Sequence, residues 1–477
     1  MGMTQASFWK RSEAAVATKG FLTGPDGVMP SMFRTDSREV QPGEGFAAIP
    51  GASVDGHRFV SDALSRGATF FVLQSDRRDL FSVDSFGNEN AVLWVENTEK
   101  ALEDMALAYL ARFVPRRRIA VTGSVGKTTT KELVRNVLSP ALRVHPAAKS
   151  HNTRIGCALT VLSMPVSTEV LLLEMGANAP GEIRELTETY EPDTAVITEI
   201  SPAHLEGFGS IEGVLGAKWE ITCSQQLRVL SYNYDNDLLR RRVETAGRPW
   251  RLFPIGYQVP SGQGVRILHA ESRFDGMLPQ LSVRYDVFGK VLDCSVPLFG
   301  IQHAYTAAFG FALGVAFEQP LEELVRRIGT MTPPQGRGVI LFREGGGLLV
   351  DEAYNANPAS LSVALDNLFA IRKKGEERVV AILGGMRELG RESPIWHERL
   401  LEKALRCDVV LLVGKEWEDV HVDGERGFRS NHVFRVANAE EALAVVESLL
   451  APEDILLVKG SRHYELEKVV RGLTRRT

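Results

Sequence analysis

Between Arg116 and Glu132 the chain reads RRRIAVTGSVGKTTTKE, and no other stretch restricts its fold as tightly. A basic entry leads into the apolar run Ile119–Val121. A glycine-rich turn follows, Gly123-Ser124-Val125-Gly126, then Lys127 and the threonines Thr128, Thr129 and Thr130. That order is strand, phosphate loop, helix. Backbone N–H groups of such a loop and the helix N-terminus surround phosphate oxygens. The lysine reaches the β- and γ-phosphates, and Thr128 can hold Mg²⁺. The generic spacing G-x-x-x-x-G-K-[ST] is not met, because Val121 falls where its first glycine belongs. The plainer reading is a glycine-rich turn with an exposed lysine, but strand, turn and helix are all in place. The segment predicts ATP or GTP binding on an α/β scaffold and leaves open the fate of the γ-phosphate.

At 477 residues the chain has room for about three domains of ~150 residues each. A hydrophobic content of 44% with 24% charged residues belongs to an ordinary globular protein. The net charge of −5 carries no nucleic-acid footprint, so no nucleic-acid partner is expected. Cys157, Cys223, Cys294 and Cys407 lie far apart with no C-x-x-C pair, which reads as reduced thiols in the cytoplasm. The opening MGMTQASFWKRSE lacks the apolar centre of a signal peptide, and no run of 18 apolar residues predicts a membrane span.

Three blocks are expected: 1–114, 115–330 and 331–477. The first mixes short strands with helices. The second alternates strands and helices from the phosphate loop onward, the pattern of a parallel sheet, and then becomes antiparallel over Val265–Pro297. Its closing helix is expected at His303–Ala316. Met331–Gly338, MTPPQGRG, packs two prolines and two glycines into eight residues and reads as a linker. The third block has the βαβ rhythm of a Rossmann-like open sheet.

Several residues stand out by position. Glu174 ends the apolar strand Glu169–Glu174, and Asp351 ends Gly347–Asp351. Ligands of open α/β sheets sit at the carboxyl ends of strands. A carboxylate beside the loop threonine makes a Mg²⁺ site, although an ordinary strand-end carboxylate is as plausible for Glu174 on the residues alone. Asn357-Pro358 is a helix start, with asparagine at the N-cap and proline at N1. His204 in a proline turn and Lys218 on a helix are, by themselves, an unremarkable loop histidine and a solvated lysine. Lys459-Gly460-Ser461-Arg462 follows the last strand as an anion-binding turn.

Seven stretches occur in order: TDSREVQPGEGFAAIPGASVDGHRF, GSVGKTTTKE, LEMGANAPGEI, SPAHLEGFGSIEGVLGAKWEI, DEAYNANPASL, LGGMRELGRES and VKGSR. Together they resemble the Mur ligases, whose shortened phosphate loop this chain shares with their folylpolyglutamate synthase relatives. The resemblance covers nearly the whole chain and is greatest to the branch that acts on UDP-N-acetylmuramoyl-tripeptide and D-Ala-D-Ala. It implies a small α/β UDP-binding domain, a central P-loop ATPase-type domain and a C-terminal Rossmann-like ligase domain in a monomer. It implies ATP and two Mg²⁺ ions, with Thr128 and Glu174 at the first metal and His204 and Lys218 at the second. Lys218 is then carbamylated by CO₂, which needs a lysine with a depressed pKa. Arg337 resembles the arginine that reaches the γ-phosphate, and Asp351, Tyr354 and Asn355 match residues facing the nucleotide and the incoming amine. Ser37 and Arg38 are implied at uridine diphosphate, Asn152 and Thr153 on the acceptor side, and Asn178 at the rim.

The match breaks at three places. His303 remains from an H-N-x-x-N adenine-contacting motif, but Ala304 and Ala307 stand where asparagines are expected, which predicts weaker readout of the base or readout from elsewhere. LGDM becomes Leu383-Gly384-Gly385-Met386, with loss of a carboxylate. A Gly-Val-Pro becomes Gly156-Cys157-Ala158. Other readings stay open: a P-loop NTPase switch, a Mur-like ligase with a different acceptor or amine, and a catalytically weak homologue that binds the UDP-muramoyl peptide.

Overall fold

The computed structural model describes residues 9–51, 54–274, 279–371, 378–418, 420 and 433–474. Their strands form three sheets. The first has five strands in the order Phe21–Thr23, Ala91–Val95, Phe70–Gln74, Gly45–Ala47 and Phe33–Arg34; only the first pair is antiparallel.

The central sheet has nine strands. Arg117–Thr122 lies between Val170–Glu174 on one side and Thr194–Ile197 on the other, parallel to both. The chain leaves this strand to build Val144–Pro146 and Val170–Glu174 on one flank. It then crosses back to build Thr194–Ile197, Val229–Asn233 and Arg251–Gly256 on the other. The phosphate loop therefore sits at a topological switch point, where the two crossovers diverge and open a crevice. Val265–Phe274, Pro279–Val287 and Lys290–Val296 extend the sheet as the expected antiparallel meander. The helix His303–Ala316 packs beneath it, burying Ala304, Ala307, Phe311 and Leu313 completely.

The third sheet runs Val339–Phe342, Leu348–Glu352, Ile455–Lys459, Val379–Gly384, Val409–Val413, Val433–Val436. Its first pair is antiparallel and the rest parallel. Completely buried strands such as Val409–Val413 read as unbroken aliphatic runs because helices cover both faces. Asn357 caps the helix Pro358–Ile371 by accepting from Ser360 N at 2.9 Å. No helix among the described residues is long and apolar enough to cross a membrane.

The cores are divided unequally. One apolar cluster runs from Trp9, Phe70 and Leu93 through Leu102 and Tyr109 to Leu159, Leu173 and Ile197, joining the first sheet to the central one. Tyr109 donates to Met164 O at 2.6 Å across that junction. The third sheet is packed by clusters drawn almost wholly from its own unit, one around Leu365, Leu383 and Leu412, which Phe299 of the central unit joins, and one on the other face around Leu349, Ile382 and Val458. Leu365→Ala, at a fully buried position, is expected to cost about 2–5 kcal/mol. Hydrogen exchange should accelerate across the third sheet while Arg117–Thr122 and its neighbours keep their protection; uniform acceleration would contradict the separate core.

Candidate active site

The carboxyl ends of the central sheet face the carboxyl ends of the third sheet across a cleft of about 1500 Å³. The loop between Thr122 and Lys127 forms its floor. Gly123 has φ +143°, and a Cβ there would lie 2.0 Å from Thr198 Oγ1, so only glycine fits between the loop and the next strand's end. Ser124 ties the loop down, donating to Ser201 O at 2.9 Å and accepting from Ser201 N at 3.1 Å. Thr198 Oγ1 donates to Val125 O at 2.6 Å. Gly126 opens the helix Lys127–Leu138, whose first-turn N–H groups face the cleft beside buried Thr128 and Thr129.

Lys127 folds over the loop, donating from Nζ to Gly123 O at 2.6 Å. Burial, with a smaller contribution from Arg337, lowers its ammonium below the usual lysine range. Thr128 Oγ1 donates to Glu174 Oε2 at 2.9 Å, and Asn152 Nδ2 donates to Glu174 Oε1 at 3.2 Å. Glu174 is 1% exposed, so both of its oxygens are fixed before anything binds. Lys131, not expected from sequence, supports this wall: its buried ammonium donates to Ala147 O and Lys149 O, both at 2.6 Å, with Glu174 3.9 Å away. Thr153 caps the helix Arg154–Leu162 and lines the cleft with Asn178.

His204 has φ +52° at the start of the short helix Leu205–Phe208. Its Nδ1 contacts the carboxylate of Glu388, which reaches over from the third unit, and Glu206 N donates to Glu388 O at 3.1 Å. Lys218 is 1% exposed, with Nζ 3.4 Å from Ala177 O and 5.1 Å from the centre of the Phe208 ring. Burial chiefly, then the charge of Lys127, pushes its ammonium down to about 7.

From the linker, Arg337 lies 4.2 Å from the Tyr354 ring centre and 3.5 Å from Ser150 Oγ, itself 3.4 Å from Thr128 Oγ1. Arg462 approaches the same ring at 5.7 Å. Asn355 lines the cleft and its carbonyl accepts from Lys459 Nζ at 3.1 Å.

Asp351 does not reach the cleft. Its carboxylate is buried, accepts from Ala353 N at 3.1 Å and is pushed up by desolvation. The following residue, Glu352, lines the cleft and accepts from Lys459 Nζ at 3.0 Å. Side chains alternate across a strand, so a one-residue error changes the face. The same offset affects the adenine motif: Ala304 and Ala307 point into the core, whereas His303 and Thr306 line the cleft. The alanines therefore leave no gap in the cleft wall. His303 Nδ1 is 3.5 Å from Thr306 Oγ1, while its buried Nε2 has no hydrogen-bond partner among the described residues. Burial pushes the imidazole down to about 4, leaving it neutral. Sequence reasoning also passed over Glu199, a cleft carboxylate raised by burial and held by Asn233 at 2.6 Å and Asn236 at 2.5 Å.

Ser37 and Arg38 lie away from this cleft, on the first unit. Ser37 is buried, and Arg38 is exposed and paired with Asp36 at 2.6 Å. The next residue, Glu39, accepts from Lys149 Nζ of the central unit at 2.8 Å.

A phosphate loop at a sheet switch point, faced by the carboxyl edge of a second α/β sheet, defines a nucleotide-binding protein built to bring another substrate to the triphosphate. The chain belongs to the Mur ligase family: residues 31–110 match the Mur ligase family, catalytic domain; 121–314 the Mur ligase middle domain; and 339–462 the Mur ligase, glutamate ligase domain. It is 32% identical over 450 residues to the UDP-N-acetylmuramoyl-tripeptide–D-alanyl-D-alanine ligase of Synechocystis, covering 92% of this chain and 91% of that one. With the enzyme of the same name from Bacillus subtilis it shares 30% over 443 residues, 92% of each chain. The fold is similar to that of MurF from Acinetobacter baumannii, with a TM-score of 0.78 at 24% identity over 97% of this chain and 98% of that one. MurF ligase from Thermotoga maritima, solved in complex with ADP, matches at a TM-score of 0.73 and 24% identity, covering 92% and 96%.

Proposed function

We propose that the chain is an ATP-dependent amide ligase joining D-alanyl-D-alanine to UDP-N-acetylmuramoyl-tripeptide, in the cytoplasmic assembly of peptidoglycan precursors. The observation that carries this reading is the pairing of two carboxyl sheet edges across one cleft. A triphosphate loop with a fixed carboxylate stands on one side, and cationic Lys459, Arg462 and Arg387 stand on the other. Full-length similarity to the two ligases of that name supports it. The working units are 1–114, 115–330 and 331–477, and the protein acts as a monomer.

Thr128 and Glu174 suit Mg²⁺: a hydroxyl and a fixed carboxylate are hard oxygen donors that leave other positions to phosphate and water. His204 and Lys218 would hold a second ion once the Lys218 amine has taken up CO₂, losing one proton, to become a carbamate. When bound, the ions supply charge neutralisation at the phosphates. The loop N–H groups of Gly123, Val125 and Gly126 through Thr129 hold the phosphates, while the Ser124 N–H is taken by Glu199 O at 2.8 Å, and Lys127 and Arg337 take the charge developing at the γ-phosphoryl. A carboxylate oxygen of the tripeptide attacks the γ-phosphorus and ADP leaves. The dipeptide amine then attacks the acyl-phosphate carbonyl, phosphate departs, the nitrogen gives up its proton, and an amide remains. Asn152, Thr153 and Asn178 line the acceptor side; Tyr354 and Asn355 orient the third unit's face; His303 with Thr306 meets the base. Glu352, in place of Asp351, is the third-sheet carboxylate in contact with substrate. Ser37 and Arg38 serve the uridine diphosphate end.

The separate core of the third unit and the irregular Met331–Gly338 connection support closure of that unit about the linker, which excludes water from the acyl phosphate. The test is ADP release from ATP with UDP-muramoyl-tripeptide, with and without D-Ala-D-Ala. Release is expected to need both. Indifference to the dipeptide would remove the amine assignment, and indifference to both substrates would remove the ligase class.

A further inference from the structure

The carboxylate lost from Gly385 is replaced in space by one from another strand end. Gly385 follows Val379–Gly384 and donates from its N–H to Val413 O at 2.9 Å. Three residues beyond Val413, Glu416 turns back over it. A Cβ at position 385 would lie 2.3 Å from Glu416 Oε2 and 3.0 Å from its Cδ. A side chain at 385 and this placement of Glu416 are mutually exclusive. The Glu416 carboxylate is shared: Oε2 accepts from Tyr464 OH, and Oε1 lies 3.5 Å from Arg387 Nη1. Arg387 lines the cleft, and the next residue, Glu388, anchors this loop to the central unit at His204 and Glu206.

We infer that Arg387, positioned by Glu416, receives the free carboxylate of the amine substrate; this rests on the ligase reading above. The attacking nitrogen must reach an acyl phosphate formed beside the phosphate loop. An extended dipeptide spans at most about 7 Å, so its carboxylate stays within the cleft and needs a cation among the residues that line it. Four Lys and Arg side chains of the third unit line the cleft, and Arg337 is the one already assigned to the γ-phosphate. Lys459 is engaged by Glu352 at 3.0 Å and Asn355 O at 3.1 Å. Arg462 pairs with Glu467 at 2.9 Å and lies against Tyr354. Arg387 gives one N–H edge to Glu416 and, with five N–H bonds on a planar fork, retains donors for a bidentate carboxylate. Glu416 acts through Arg387 and is a positioning residue.

The experiment compares D-Ala-D-Ala with its C-terminal amide as amine substrate in the ADP-release assay. Wild type is expected to favour the free acid in KM by about 10- to 100-fold, the range for a hydrogen bond between charged groups. Arg387→Ala should raise KM for the free acid to that of the amide, with kcat and the KM values for ATP and the UDP-linked acceptor little changed. Arg387→Lys should keep part of the preference. Glu416→Ala should raise KM for the free acid, and adding Gly385→Asp to it should restore KM in part, whereas Gly385→Asp alone should displace the Glu416 carboxylate and raise KM for the free acid. Persistence of the preference in Arg387→Ala, or a rise confined to the KM for ATP or acceptor, would overturn the assignment. Melting temperatures of the variants separate misfolding from lost binding. Wild-type ADP release that ignores the dipeptide would instead mark the failure of the amine assignment on which this inference rests.

Discussion

Lys127→Ala is expected to lower the rate of ADP release by about a thousand-fold, the upper end for removing one preorganised donor from a site of developing charge. The side chain is poised for this role. Its ammonium lies over the loop it serves, hydrogen-bonded to Gly123 O at 2.6 Å, and burial already disfavours its charged form. An arriving polyphosphate replaces one carbonyl partner by several anionic oxygens, so the interaction gained grows with the charge being transferred. Alanine removes it without disturbing the turn, because loop shape depends on Gly123, Ser124 and Thr198. The melting temperature should hold or rise, since an ammonium short of partners is deleted from a largely buried position. Initial rates at saturating acceptor and dipeptide, with ADP affinity measured by fluorescence titration, provide the check. A variant within ten-fold of wild type would show that the loop grips phosphate without its lysine.

Lys218→Ala should be nearly as damaging, by a hundred-fold or more on the same electrostatic grounds, and short-chain carboxylates such as formate or acetate should partly restore the rate. The argument begins with burial: a lysine 1% exposed, its Nζ 3.4 Å from one carbonyl and beside an aromatic ring, is a poor place for an ammonium. Its shift to about 7 follows from that burial and from the repulsion of Lys127. A carbamate reverses the sign of the group and turns repulsion from Lys127 into attraction. Truncation opens a space that a small carboxylate can fill, returning the negative charge without the lysine. A Lys218→Ala protein that is active and indifferent to CO₂ would refute the carbamate role.

Legibility of this site followed the range of the interactions that build it. The phosphate loop, its helix, the Asn357 cap and the glycine- and proline-rich linker depend on residues within a few positions of one another, and these are present in the order of the chain. Glu174 could be placed because it closes an aliphatic strand whose end must meet the loop. The misses came where direction mattered. Asp351 and Glu352 differ by one step along a strand, and only pairing with Ile455–Lys459 and packing on both faces decide which of the two looks into the cleft. Ala304 and Ala307 read as lost contacts until the helix packed and turned them inward. Glu199, Lys131 and Glu388 carried no local mark, since their partners are elsewhere in the chain.

By itself the sequence determined the triphosphate loop, the α/β class, the alternation of strands and helices along the chain and the family resemblance, because each is written in runs of contiguous residues. Tertiary structure decided which side of each strand and helix meets the cleft, that Glu416 stands where a side chain at 385 is missing, and that the third unit keeps a core of its own. Those outcomes depend on cross-strand register and on competition for space between residues far apart in sequence, which become neighbours only once the sheets have formed.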